Sequence, residues 1–255
     1  MLLAIDVGNS QTVIGVFDGE RLGHHWRIST DARRTADEFA LLLDGLMGFE
    51  EVAFTRDVDG VSICSVVPIV TERLREVSER YLGVPPVVVE PGTRSGVPIK
   101  MDNPREVGAD RLVNALAAFE GYGGPAIVVD FGTATSFDVV TQRGEFIGGA
   151  IAPGVQTSMD ALRARGAQLR TVELAAPRCA IGRSTVEAMQ SGAVYGFAGQ
   201  VDRIVEELAA ELPTAPVVVA TGGLAPAVVA ACRRIDHHDP WLTLTGLRSV
   251  WARNT

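Results

Sequence analysis

An internal repeat is the feature that most constrains what this 255-residue chain can fold into. Residues 3–23 read LAIDVGNSQTVIGVFDGERLG and residues 127–149 read IVVDFGTATSFDVVTQRGEFIGG. Each copy is an apolar strand ending in Asp, one residue and Gly, then Asn-Ser or Thr-Ala, a second apolar strand, and a turn with Gly and Glu. Asp6 recurs as Asp130, and Gly8 as Gly132. Two strand–turn–strand units of this kind can face each other across a cleft. Backbone N–H groups at their tips suit phosphate oxygens, and the carboxylates suit a metal ion. The repeat therefore points to a two-lobed protein gripping a nucleoside triphosphate between duplicated halves.

Composition narrows the partners. A net charge of −8 with no Lys/Arg block argues against nucleic acid and against an anionic membrane surface. No run of about 18 apolar residues appears, so no membrane span is expected. The N-terminus, MLLAIDVGNS, lacks a positive n-region and meets Asp6 early; it reads as a first core strand. Cys64, Cys179 and Cys232 are far apart and form no C-x-x-C pair, which fits a reducing compartment, the cytoplasm.

Along the chain, residues 2–7 and 11–17 predict a hairpin, with a third strand over 24–29. Phe39, Leu42, Leu43 and Leu46 give 35–47 the spacing of an amphipathic helix. A buried strand over 60–67, a helix opened by Pro68 and a short strand over 87–90 complete a βββαβαβ half. Residues 93–107 read as a loop and 108–119 as a helix, the simplest ordered joint between the lobes. The second hairpin is followed by helices over 155–169 and 184–212, the latter with Gly192, Gly196 and Gly199 marking close backbone packing. A strand over 216–220 and helical stretches near 225–233 and 246–253 end the chain.

Five motifs could carry chemistry, each with a plain structural alternative. In Asp6-Val7-Gly8-Asn9-Ser10, Gly8 admits a phosphate to the backbone, Ser10 donates and Asp6 holds hydrated Mg²⁺; the alternative is a hairpin turn of common turn residues, and the repeat at Asp130–Thr135 favours the loop. Gly108-Ala109-Asp110-Arg111 opens a helix, where an ionised carboxylate could accept a substrate hydroxyl's proton and Arg111 could bind an anion; a helix-start charge with a solvated Arg is the alternative. Thr221-Gly222-Gly223, after a buried strand, could lie against a flat ring or a phosphate, or be a tight turn. Gly148-Gly149 and Pro153-Gly154 bracket a strand end near another backbone, architectural or ligand-binding. Thr185 is a helix cap whose hydroxyl could also meet an anion. The pairs His24-His25 and His237-His238 read as solvated or capping residues and not as metal ligands, because adjacent strand residues face opposite ways.

The order IDVGNS, DNPREVGADRLVNALAA, VVDFGTATSFDVV, GGAIAPG, ATGGLA resembles the type III pantothenate kinases, of the actin-like, acetate and sugar kinase superfamily. The resemblance runs from Leu3 to about the final helix. It implies an α/β fold of duplicated ribonuclease-H-like lobes, 1–117 and 118–255, with mixed sheets flanked by helices and an ATP cleft between them. It implies ATP-dependent phosphorylation of pantothenate to 4′-phosphopantothenate, the first step toward coenzyme A. Carried onto this sequence, Asp6, Val7, Gly8, Asn9, Ser10, Gln11, Thr12 and Val13 form the first phosphate motif, and Thr133 contacts ATP, with Gly222 and Gly223 counted on the ATP side. Asp110 is the proton acceptor, and Gly108, Ala109, Asp110, Arg111 and Thr185 line the pantothenate site. Asp130 matches the family's ligand for a monovalent cation, K⁺ or NH₄⁺, while Mg²⁺ accompanies ATP near Asp6 through water. Homodimers with a pocket at the subunit interface are implied too. One position departs: Met101 stands where the family often has Tyr, which exchanges a phenol for a weak thioether acceptor and bears on affinity more than on chemistry. The fold repeat by itself also admits another phosphotransferase of the superfamily, such as a sugar kinase or a polyphosphatase. A non-catalytic regulator on the same fold is the reading from a different class; the presence of Asp6, Asp110 and Asp130 argues against it.

Overall fold

The computed structural model describes residues 1–90, 92–165 and 172–255. These fall into two compact units. The first comprises Met1–Val97, Asn103–Ala117 and Leu242–Thr255; the second comprises Pro98–Asp102 and Ala118–Trp241. The split at 117/118 is thus incomplete. The last helix joins the first unit, and the short segment Pro98–Asp102 joins the second, where Ile99 bridges to Phe146.

In the first unit, β1 (Leu2–Val7), β2 (Gln11–Asp18) and β3 (Arg21–Ser29) form an antiparallel meander. After α1 (Ala36–Gly48) and a single turn, α2 (Phe54–Asp57), strand β4 (Gly60–Ser65) pairs parallel to β1. Helix α3 (Pro68–Val77) runs into a π turn over Ser78–Leu82 and ends at Gly83; β5 (Val87–Val88) closes the sheet in the order β3-β2-β1-β4-β5. Thr35 and Glu38 cap α1 reciprocally, which fixes where that helix begins.

Strand alternation sorts the side chains. Leu3, Ile5 and Val7 of β1, Ile14 and Val16 of β2, and Val61 and Ile63 of β4 join a core with Phe39, Leu43 and Met47 of α1 and Leu74 of α3. The opposite face carries small residues, and α8 (Leu242–Asn254) lies close upon it. Gly15 meets Leu244, Gly60 meets Trp251, and the Ser62 hydroxyl donates to the Leu247 carbonyl at 3.0 Å. Helix α4 (Ala109–Tyr122) packs there as well, Gly246 of α8 against Val113, with the Thr243 and Asn114 side chains hydrogen-bonded at 2.8 Å. The boundary between the units falls inside α4, between Ala117 and Ala118.

The second unit repeats the meander with β6 (Ala126–Phe131), β7 (Ala134–Val140) and β8 (Phe146–Pro153). Helices α5 (Val155–Arg165) and α6 (Thr185–Ala210) follow, then β9 (Val217–Thr221), the turn α7 (Ala225–Val228) and β10 (His237–His238); the sheet order is β10-β9-β6-β7-β8. Ile127, Val129, Phe131, Phe137, Val139, Val218 and Ala220 form its core with α5, α6 and α7. The end of the helix expected over 155–169 lies outside the described residues. His237 and His238 extend the sheet and are exposed, the solvated alternative, and His237 stacks at a tilt on Tyr122. Among the described residues no helix is long and apolar enough to cross a membrane.

Docking of α8 on α4 generates a stability prediction. A methyl group at Gly246 would collide with the Val113 carbonyl, so Gly246→Ala should destabilise the fold by about 1–3 kcal/mol in chemical denaturation. An unchanged midpoint would show that α8 does not pack there.

Candidate functional site

The first hairpin tip is held in a defined shape. The Gly8 N–H donates to the Gln11 carbonyl at 3.0 Å, closing a four-residue loop. Asn9, Ser10 and Gln11 are exposed, while Val7 and Thr12 are buried, so the latter two offer a ligand no side chain. The Gln11 side chain accepts from Arg27 at 2.8 Å. Val13 is half-buried in β2, opposite Asp6.

Asp6 is the penultimate residue of β1 and projects to the face carrying Ala4, opposite to Ile5 and Val7. Its parallel neighbour on β4 is Cys64, fully buried on that same face. Asp110 lies in the first turn of α4, where the helix dipole favours a carboxylate, and its Oδ1 accepts from the Arg111 N–H at 2.9 Å. Gly108 lies against that carboxylate, and Ala109 and Arg111 are half-buried beside it. Burial pushes the Cys64 thiol well above its ordinary value, and the charges of Asp6 and Asp110 push it the same way. In the first unit Asp6 is thus the cross-strand neighbour of a buried thiol whose ionisation both carboxylates oppose.

The second tip is built similarly. The Gly132 N–H donates to the Ala134 carbonyl at 2.9 Å and Thr133 is exposed. The Thr133 carbonyl accepts from the Gly154 N–H at 3.2 Å and from the Thr157 hydroxyl at 2.7 Å. Asp130 is half-buried and pairs across the sheet with Ser136 and Thr221. Gly222 has a φ of 95°, and a Cβ there would run into Asp130 Oδ1 and the Phe131 backbone. Only glycine lets this turn close against the Asp130 loop. Gly223, next to it, is exposed. So Asp130, Thr133 and Gly222-Gly223 come together at one end of the second sheet.

Two remaining positions lie elsewhere in the second unit. Met101 is half-buried, with its side chain over Gly148. Thr185 is exposed at the start of α6, but Ser184 is the residue that caps this helix, its side chain accepting from the Glu187 N–H at 3.2 Å. Thr185 is free of that duty because the cap belongs to the residue just outside the helix.

Metal chemistry can be tested against these donors. Among the described residues no three His, Cys, Asp or Glu side chains cluster as a metal cage. Mg²⁺ keeps several waters and takes one or two carboxylates plus substrate phosphates, a demand that the half-exposed Asp6 at the strand end can meet. A single carboxylate, Asp130, among hydroxyl and carbonyl oxygens likewise suits a large monovalent cation.

A family model described as type III pantothenate kinase matches residues 2–207. A type III pantothenate kinase of Streptomyces avermitilis is 62% identical over 261 residues, covering 100% of this chain and 98% of the relative. This chain belongs to the type III pantothenate kinase family. Another member, from Acidothermus cellulolyticus, is 59% identical over 255 residues, covering 100% and 99% of the two chains. Among solved structures, the activator of the 2-hydroxyisocaproyl-CoA dehydratase from Clostridium difficile, with bound ADPNP, superposes with a TM-score of 0.60 at 12% identity, covering 99% and 93% of the chains. At that identity the likeness speaks for the fold, the duplicated actin-like architecture, which in this pantothenate kinase family member carries the two acidic tips described above.

The thiols report on this geometry. Cys179 is exposed, Cys64 is fully buried, and Cys232 is half-buried with its thiol pushed up to about 12 by burial and the nearby Asp202. At pH 8 a thiol reagent should titrate Cys179 fastest in the folded protein, and all three thiols after unfolding. Rapid reaction of Cys64 in the native state would contradict its burial.

Proposed function

We propose that this chain transfers the γ-phosphoryl group of ATP to the primary hydroxyl of pantothenate, giving 4′-phosphopantothenate at the entry to coenzyme A synthesis. Full-length identity to curated type III pantothenate kinases supports the substrate pair. The observation that carries the mechanism is the position of two carboxylates in the first unit, Asp6 at the end of β1 beside the first hairpin tip and Asp110 in the first turn of α4, which supports reading them as a phosphate-loop residue and a general base.

In this reading the exposed tips at Asn9-Ser10 and Thr133 donate N–H and hydroxyl groups to phosphate oxygens. Gln11 flanks the first tip, and Gly222-Gly223 gives the nucleotide close approach to backbone. Asp110 aligns the pantothenate hydroxyl and takes its proton late, while Gly108, Ala109, Arg111 and Thr185 serve the pantothenate side, Arg111 by meeting a carboxylate. Met101 offers aliphatic packing in place of a phenol. Asp6 would hold Mg²⁺ through water and Asp130 a monovalent cation; bound there, they supply positive charge to a transition state that is mostly a problem of positioning and charge.

A second copy of the chain completes the proposal. Gly192, Gly196 and Gly199 do not pack closely within the chain. A Cβ on any of them meets nothing within 4 Å, and with Tyr195 they form one exposed stripe on α6. A homodimer through this face fits that exposure. The reduced cytoplasm suits three free cysteines and an ATP-dependent reaction.

Two experiments test this reading. In a coupled assay, ATP should be consumed with pantothenate and not with hexoses, faster with K⁺ than without. Asp110→Asn should lower turnover at least about tenfold, since general-base contributions commonly reach 10²–10⁴-fold; unaltered turnover would remove Asp110 from its role. In sedimentation, Gly196→Arg should convert a dimer to a monomer, and a persisting dimer would place the interface elsewhere.

A further inference from the structure

Thr30 lies outside every motif named above, yet it grips the first phosphate loop at two points. It follows the last residue of β3 and belongs to no ligand-facing segment. Its N–H donates to the Ser10 carbonyl at 3.1 Å, and its hydroxyl donates to the Gly8 carbonyl at 2.7 Å. The same hydroxyl is 2.9 Å from the Thr12 hydroxyl. Thr30 has one proton and gives it to Gly8, so Thr12, which is 1% exposed, must be the donor in that second contact. The result is a relay from Thr12 through Thr30 to the loop backbone.

The consequence follows from peptide geometry. In a trans peptide the C=O of one residue and the N–H of the next point in opposite directions within one plane. Drawing the Gly8 carbonyl toward Thr30 therefore turns the Asn9 N–H away from the protein. Asn9 is exposed, and among the described residues its N–H makes no backbone hydrogen bond. In the second unit the held carbonyl is one position further along, that of Thr133, drawn in by the Gly154 N–H and the Thr157 hydroxyl. Both acidic tips thus have a loop carbonyl pulled back by a donor from the strand or helix that follows the hairpin.

We propose that Thr30 is the positioning residue for ATP in the first phosphate loop, acting through the Gly8 carbonyl and the Asn9 N–H without touching the nucleotide. This rests on the kinase reading above and assigns a determinant of nucleotide affinity to a residue beyond Asp6–Val13. A free loop would sample orientations in which a carbonyl faces a phosphate oxygen. Thr30 removes those orientations before ATP arrives, so its loss should weaken nucleotide binding selectively.

The test compares Thr30→Val, which keeps the shape and removes the hydroxyl, with Thr30→Ser, which keeps the hydroxyl. Thr30→Val should raise KM for ATP at least about fivefold, the scale expected when a part-buried carbonyl loses its donor. KM for pantothenate should move less than about twofold in that variant, and Thr30→Ser should restore KM for ATP to within about twofold of the unaltered enzyme. Calorimetry with Mg-ADPNP in the absence of pantothenate should show the same ratio of affinities. Thermal melting confirms that each variant is folded. An unchanged KM for ATP in folded Thr30→Val, an equal rise in both KM values, or a Thr30→Ser variant as weak as Thr30→Val would each overturn the assignment. If the unaltered chain fails to phosphorylate pantothenate, the kinase reading falls, and the calorimetric ratio still decides the role of Thr30.

Discussion

The architecture depends on how a fully covered central strand ends. β1 and β6 are apolar on both faces for most of their length, as strands buried beneath helices must be. Each carries one carboxylate, at its penultimate position. An ionised group inside such a strand would have a large desolvation cost, and at the strand's end it can reach solvent or an ion. That constraint fixes the sense of the whole unit. The hairpin tip, the carboxylate and the following turn must all lie at the same end of the sheet. In the second unit Gly222 follows from it directly, because β9 runs parallel to β6 and its turn must close over Asp130.

The two copies solve a shared problem with different residues. Thr12 and Thr135 occupy matching places, each opposite the residue that follows the strand's Asp. Thr12 finds Thr30 as a partner. Thr135 is buried with its hydroxyl unpaired among the described residues, and the position matching Thr30, two past the residue opposite this threonine, is Gly154. Gly154 has no hydroxyl to answer it, and a Cβ there would strike the Thr133 and Gly132 carbonyls. The second copy therefore uses backbone and the first turn of α5 where the first uses a side chain. Strand geometry outlived the duplication, while the groups that hold the loops were replaced.

The strands, their order in each hairpin and the acidic tips were legible because they rest on alternation over a few residues. Leu3, Ile5 and Val7 against Ala4 and Asp6 is a local pattern, and so is Ile127, Val129 and Phe131 against Val128 and Asp130. Features that depend on distant partners were not. The last helix reads as amphipathic on its own, but nothing local says that Gly15, Gly60 and Ser62 wait for it in the first unit. The glycines of α6 read as close-packing positions, although within the chain they face outward. Ser184 and Thr185 are both good caps by composition, and only the backbone turning at Ser184 separates them. Thr30 was invisible for the same reason: its role arises from the β2–β3 register, which sets it beside Gly8.

Cys64 shows what kind of residue β4 sets beside the Asp6 carboxylate. The side chain beside Asp6 on β4 is fully buried, and it adds no charge. Burial and two negative neighbours all disfavour the thiolate, so the thiol stays protonated well past neutral pH. A basic residue there would form an ion pair with Asp6. An acidic residue there would place a further negative charge, buried, next to Asp6 and would carry a desolvation cost. A neutral, buried thiol instead leaves the Asp6 carboxylate facing no competing charge from its parallel neighbour, so the acidic strand end is shaped by an uncharged residue as well as by the charge it carries.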